Sequence, residues 1–299
     1  MSIKVIESQV ARFLQREVPE VISIKGAWGV GKTYAWHSYL SKARHQKKIG
    51  LLRYSYVSLF GINSLKDLKF AIFENMVDLS TLGRKSTVES FRNNIADLLS
   101  QLGKKSLPLF SSNALVSHYH SMLDSLSFLA LDKTIICIDD FERKGNSIEA
   151  QDILGLISQL KEQKRCKVVL ILNDESLRED SSIDYGRLRE KVIDSELRFD
   201  PTPEDCVQIA LKQDRVAKLL GENIIKLGIN NIRIIKKIEK LAEVLVPQLA
   251  DYDQLVLSQA LRTLTLLTWC YYGPASHVPD SSSLVLARNR WPSISSVPA

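Results

Sequence analysis

The sequence predicts an α/β protein: a parallel sheet wrapped by helices, followed by a purely helical part. Three observations carry this. A β-branched run, Val21 to Ile24, leads into a glycine-rich turn and then a helix-like stretch, Tyr34 to Arg44. A second apolar run, Thr134 to Ile138, ends in the paired carboxylates Asp139 and Asp140. After Pro203 only helical periodicities remain. Continuous apolar runs flanked by helical patterns are the mark of strands buried on both faces of a parallel sheet.

The 299 residues suit one large or two modest domains. Composition is that of an ordinary globular protein, and the net charge of +6 permits an anionic partner without demanding one. The four cysteines, 137, 166, 206 and 270, form no CxxC pair, which points to buried thiols in a reducing cytosol rather than disulfides or zinc. Met1 to Gln15 lacks the apolar core of a signal peptide, and Leu255 to Tyr272 carries Arg262 among other polar residues. The expectation is a cytoplasmic protein with no membrane span.

Taken in order, Ile3 to Arg16 shows helical spacing of its apolar residues, and Val21 opens the first strand. Gly26-x-x-x-x-Gly31-Lys32-Thr33 then matches the P-loop pattern. Gly26, Gly29 and Gly31 let the backbone turn its N–H groups toward a phosphate chain, so Gly26, Ala27, Trp28, Gly29, Val30, Gly31, Lys32, Thr33 and Tyr34 are the nucleotide-binding candidates. Lys32 would sit on the β- and γ-phosphates, the Thr33 hydroxyl would ligate Mg²⁺, and the helix opening at Lys32 adds its positive end. Leu51 to Phe60 reads as the second strand, and Ser64 as the N-cap of a helix through Val77.

Residues 79–133 read as a helical insertion with two helical patterns and no evident chemistry; His118 and His120 are spaced poorly for one metal-binding face. The run ending in Asp139-Asp140 fits a Walker B strand, in which the first aspartate holds Mg²⁺ and the next acid lies near the attacking water. Glu142, two residues on, could assist if the turn allows. Ile148 to Lys164 is an amphipathic helix, and Lys167 to Leu172 another buried strand whose tip carries Asn173, a candidate sensor for the lytic water. Tyr185 to Val192 reads as a short basic helix and Glu196 to Phe199 as a fifth strand. A boundary falls near Pro201, giving a core of residues 1–200, a helical lid over 201–272 and a disordered tail over 273–299 rich in proline and serine. The lid reads as helices over 204–220, 221–227, 232–245 and 252–270.

Gly26-x-Trp28-Gly29-x-Gly31-Lys32-Thr33 with Ile138-Asp139-Asp140-Phe141-Glu142-Arg143 resembles the KAP group of P-loop NTPases, allied to the STAND and AAA+ branches, over residues 5–250. Trp28 within the loop and the acidic run closing in arginine are its more specific marks, and Asn231-Ile232-Arg233 resembles that group's second sensor. The resemblance implies a three-layer sandwich about a parallel five-stranded sheet in the order 5-1-4-3-2, capped by a helical lid. It implies ATP and Mg²⁺ as ligands, Thr33 and Asp139 at the metal, and Asp140 in the place of the catalytic base. Asn173 takes the first-sensor place and Arg233 the nucleotide-contacting second-sensor place. Many members carry membrane spans between the two Walker motifs; the 79–133 insertion has none, so membrane attachment is not inherited.

The resulting expectation is a slow ATPase acting as a switch that gates a protein partner, with a role in bacterial anti-phage defence resting on the family alone. Asp140 in place of glutamate, one methylene shorter, argues for slow turnover. Arg143, Arg187 and Arg189 could each serve as an arginine finger, within the chain or across a homo-oligomer, or form ordinary ion pairs. Lys236, Lys237 and Lys240 could touch nucleic acid or form a solvated basic face; no aromatic residues interleave with them in sequence. A P-loop small-molecule kinase, a non-hydrolysing nucleotide-binding scaffold and a DNA-acting loader are the competing functions.

Overall fold

The structure is a computed structural model, and it describes residues 3–79, 128, 131–177, 179–212 and 214–273. The helices expected within the 79–133 insertion, His118, His120 and the tail beyond Gly273 lie outside the described residues. By contact density the chain divides into two units, Met1–Ala27 with Lys32–Asp200, and Trp28–Gly31 with the chain from Pro201 onward.

The first unit is built on strands β1 (Val21–Lys25), β2 (Arg53–Ser58), β3 (Val77–Asp78), β4 (Thr134–Asp139), β5 (Lys167–Leu172) and β6 (Ser195–Arg198). They form one six-stranded sheet in the order β3-β2-β4-β5-β1-β6. The expected five strands in the order 5-1-4-3-2 are therefore corrected: a sixth, two-residue strand pairs antiparallel with β2 at the edge. The other five are parallel, and without that edge strand their order reads as expected. Every residue of β1, β4 and β5 is buried, as strands covered on both faces must be.

Helices α1 (Ile3–Gln15), α2 (Lys32–His45), α3 (Leu65–Glu74), α4 (Ala150–Glu162) and α5 (Glu179–Val192) surround the sheet. Side chains of β2 alternate between its faces and show the layering. Tyr54 accepts a hydrogen bond from the Trp36 indole of α2 at 2.9 Å, whereas Ser55 donates to the Ile72 carbonyl of α3 at 2.7 Å. The two helices thus lie on opposite faces. Phe13 of α1 meets Trp36 edge-on at 6.4 Å, and Leu68, Ile72, Ile153, Ile157 and Tyr185 of α3 to α5 share one apolar cluster with the sheet. Ser64 caps α3 by accepting from the Asp67 N–H, as its sequence position predicts.

The second unit holds α6 (Pro203–Ala210), α7 (Arg215–Lys226), α8 (Ile232–Leu245) and α9 (Gln254–Tyr272). Their core is Cys206, Leu220, Ile224, Ile235, Ile238 and Leu261. The helix expected over 204–220 is in fact two. Thr202 and Asp205 form a reciprocal capping box at the start of α6, and Asp214 caps α7. Among the described residues no helix is long and apolar enough to cross a membrane, and the four cysteines are buried and free.

Candidate functional site

In the first unit the ends of β1, β4 and β5 come side by side through parallel pairing, so their C-terminal tips share one edge of the sheet. That edge is where open parallel sheets gather ligands, because the loops leaving it diverge into helices on the two faces. Lys32 and Thr33 begin α2, immediately after the loop from β1. Asp139 ends β4, and Asn173 follows β5.

The two nucleotide motifs meet directly. Thr33 donates its hydroxyl hydrogen to Asp139 Oδ2 at 2.6 Å, across 106 positions of sequence. The Tyr56 hydroxyl donates to the same oxygen at 2.9 Å, and the Asp140 N–H donates to Asp139 Oδ1 at 2.7 Å. Burial pushes the Asp139 carboxyl above its ordinary pKa, while these three donors pull it back. A buried carboxylate and a hydroxyl are hard oxygen donors of the kind magnesium takes, and a divalent cation would offset the cost of burying that charge. The residues present fit the ion.

Lys32 is 8% exposed and folds its ammonium into its own loop, donating to the Gly26 carbonyl at 2.6 Å and the Ala27 carbonyl at 3.0 Å. A Cβ on Gly26 would lie 2.3 Å from the Phe199 carbonyl oxygen, so no larger residue fits at the loop's entry. Tyr34, just past Thr33, is 58% exposed.

Asp140 stands in the left-handed region at φ 57°, a strained position for a residue with a side chain. Its Oδ2 accepts from the Ser58 hydroxyl at 2.7 Å, and Arg143 lies 3.6 Å from its Oδ1. Arg143 also covers the Phe60 ring at 4.0 Å. Arg187 and Arg189 pair with Asp184 and Glu196 at 3.3 and 3.5 Å. All three arginines are thus held in local ion pairs.

Glu142 sits in a tight 3-10 turn, Phe141–Arg143, and its Oε2 accepts from the Asn173 N–H at 3.0 Å. It braces the tip of β5 against the tip of β4. Asn173 is 4% exposed and donates its amide to Ser176 Oγ at 2.6 Å, which leaves its buried Oδ1 without a partner. An orphaned buried acceptor is costly, and a water molecule offering a hydrogen would satisfy it.

Sequence reasoning missed Tyr56, Ser58 and His37. Tyr56 and Ser58 share one face of β2, two residues apart, and the parallel register sets Ser58 opposite Asp139. His37 of α2 packs on the Tyr56 ring at 5.1 Å; burial lowers its pKa and the nearby Asp139 charge opposes that shift. Alternation within the strand was a usable signal for the pair, but their target depended on which strand lay beside β2.

In the second unit Trp28–Gly31 is gathered with the start of α8. Asn231 caps α8 by accepting from the Arg233 and Ile234 N–H groups, and its own amide donates to the Trp28 carbonyl at 3.1 Å. The Ile232 N–H donates to the Gly29 carbonyl at 2.8 Å. Gly29 has φ +81°, and a Cβ there would fall 2.2 Å from Asn231 Oδ1, so only glycine allows this approach. Trp28 is half exposed, Val30 and the Ile234 that follows Arg233 are buried, and Arg233 itself is exposed on the first turn of α8.

No protein-family model and no curated protein matches the sequence. Solved structures do. The Aeropyrum pernix ORC2 protein, in its ADPNP–ADP complexes, is 15% identical over 87% of this chain and 67% of its own, with a TM-score of 0.51. Drosophila ORC bound to DNA is 14% identical over 91% of this chain and 63% of its own, with a TM-score of 0.48. Cdc6p from Pyrobaculum aerophilum is 13% identical over 82% of this chain and 61% of its own, with a TM-score of 0.44. The chain thus spans about two thirds of the length of these proteins. At such identity the likeness is one of architecture, and on the first of them the chain has a P-loop NTPase fold of the AAA+-like kind.

Proposed function

We propose that the protein binds ATP with Mg²⁺ and hydrolyses it slowly, as a KAP- or STAND-like switch that gates a protein partner. The observation that carries this reading is the 2.6 Å hydrogen bond from Thr33 to Asp139, which unites the phosphate loop with the acid-tipped strand. A P-loop threonine that reaches the aspartate ending another strand of the sheet is the pairing a nucleotide–metal site requires.

In this reading Gly26 to Tyr34 cradle the phosphates, Lys32 leaves its loop carbonyls to meet them, and Thr33 and Asp139 hold the metal. Magnesium, when bound, neutralises charge on the phosphate oxygens. Asp140 orients the attacking water and takes its proton, and Asn173 Oδ1 holds a second hydrogen of that water. Glu142 positions Asn173 through the backbone, and Arg143 positions Asp140 through their ion pair. Arg233 reads the nucleotide from the helical lid of residues 201–272, coupling hydrolysis to a movement of that lid.

Slow turnover is supported by the way Asp140 is held: the Ser58 hydroxyl occupies one of its oxygens and Arg143 the neighbourhood of the other. The same observation favours a second reading, a nucleotide-binding scaffold that does not hydrolyse. The cytoplasmic setting is supported by the four free, buried cysteines, and the defence role by the family resemblance alone.

The test is ATP binding and phosphate release by the wild type, Lys32→Ala and Asp140→Asn at several protein concentrations. Loss of binding in Lys32→Ala, with binding kept and release lost in Asp140→Asn, is the expected result. Binding without release in the wild type establishes the scaffold. Binding unaffected by Lys32→Ala overturns both readings.

A further inference from the structure

The second unit carries a surface that, Arg233 apart, the nucleotide reading does not use. On α8, Arg233, Lys236, Lys237 and Lys240 are all exposed, and their spacing of three, one and three residues places them along one side of the helix. The opposite side, Ile234, Ile235, Ile238 and Ala242, is buried. The acids of the same helix lie on its flank and are engaged: Lys212 reaches Glu243 at 3.0 Å, and Lys236 reaches Glu239 at 2.8 Å. Among the described residues no carboxylate pairs with Arg233, Lys237 or Lys240.

The last turn of α9 adds what the basic stripe lacks in sequence. Tyr271 and Tyr272 are 73% and 45% exposed and pack against one another edge to face, 4.7 Å apart. Lys237 Nζ stands 3.4 Å from the centroid of the Tyr272 ring. Two adjoining exposed aromatic rings, tied to the stripe by a lysine, make a surface that water alone does not favour.

We propose that this face binds single-stranded nucleic acid, with phosphates along Lys237 and Lys240 and bases stacked on Tyr271 and Tyr272. Cations that track a backbone, beside aromatic rings that accept bases, are the two components such binding needs. From Lys237 to Lys240 the helix rises about 4.5 Å, close to the step of about 3.4 Å between phosphates of one strand, so the two lysines suit adjacent phosphates. A duplex keeps its bases away from the rings, and an acidic peptide would use the lysines but leave the tyrosines idle. The proposal needs no bound nucleotide and stands whether or not the chain hydrolyses ATP.

The experiment is fluorescence anisotropy of the full chain with a labelled oligothymidylate of about 20 nucleotides, without ATP, across a salt series. Lys237→Gln with Lys240→Gln is expected to weaken binding and lower the salt slope by about 1.4, roughly 0.7 for each lost phosphate contact. Tyr271→Ala with Tyr272→Ala is expected to weaken binding about tenfold or more at an unchanged slope, while the matching Phe pair stays within about twofold of wild type. Circular dichroism melts check that each variant is folded, and the lysine and Phe pairs decide the matter if the Ala pair is not. Affinity unchanged in both the lysine and the tyrosine pairs would overturn the proposal. So would duplex DNA binding as tightly as the single strand, or polyglutamate of equal charge competing as well as the oligonucleotide.

Discussion

Ser58 Oγ lies 2.7 Å from Asp140 Oδ2, so the hydroxyl that ends β2 holds the carboxylate expected to activate water. The parallel register imposes this: Ser58 stands opposite Asp139, and the left-handed turn at Asp140 swings the next side chain back toward β2. The oxygen that accepts this bond has one acceptor position fewer to offer the hydrogen of an attacking water. Ser58→Ala therefore raises basal phosphate release several-fold, with nucleotide affinity unchanged. Steady-state phosphate release beside equilibrium nucleotide binding checks this; a rate equal to or below wild type counts against a restraining role.

Tyr56 bears on the proposed metal site rather than on the water. Its hydroxyl donates to the Asp139 oxygen that also receives Thr33, fixing the direction in which the carboxylate faces. Groups that orient a metal ligand in this way are worth roughly 10- to 100-fold in metal affinity. Tyr56→Phe, which keeps the ring against His37, is expected to raise the Mg²⁺ concentration needed for half-maximal activity by about tenfold or more. The check is a magnesium titration of phosphate release at saturating ATP.

Asp139 is the residue at which the site and the stability of the fold oppose each other. Its folded pKa is raised above the ordinary carboxylate value, chiefly by burial. A carboxyl so shifted contributes stability that is complete below its unfolded pKa and is lost as pH rises through the folded value. At neutral pH its buried charge is thus a cost, which an amide avoids. Asp139→Asn should unfold at a higher temperature than wild type at pH 7, with the gap narrowing toward pH 4, while metal-dependent activity disappears. Thermal melts over that range check it, and a variant less stable than wild type at pH 7 refutes it.

How much of this was legible in the sequence follows from what each feature depends on. Strands β1, β4 and β5 were readable because burial on both faces forces an unbroken apolar run, and the meeting of Thr33 with Asp139 because the P-loop pattern and the acid-tipped strand both stand in the sequence. β3 was not, since two edge residues, Val77 and Asp78, carry no period. The break between α6 and α7 was hidden by apolar spacing that continues through it, although Asp214 was an available N-cap signal. Ser58, Tyr56 and the pairing of Lys237 with Tyr272 were out of reach because each depends on which element lies next to which, a property of packing between distant segments.

The last expectation concerns Lys167, which opens β5 and is fully buried. Its ammonium donates to the carbonyls of Phe13 and Arg16 at the end of α1 and lies 4.4 Å from the centroid of the Phe13 ring, so it closes that helix as a buried cap. Burial lowers its pKa to about 8, against the pull of the Glu20 charge. A lysine lowered in this way contributes stability that is complete above its unfolded pKa near 10.5 and is lost as pH falls through the folded value of about 8. Lys167→Met removes this charge but also strands two carbonyls, so a comparison at one pH mixes two effects of opposite sign. The pH dependence separates them. The stability of wild type minus that of Lys167→Met should rise between pH 8 and 10.5, because only the wild type sheds the cost of a buried ammonium over that range. Urea unfolding of both proteins at closely spaced pH values reads this difference directly; a difference flat across the range means that the Lys167 ammonium, held by its two carbonyls, keeps an ordinary affinity for its proton.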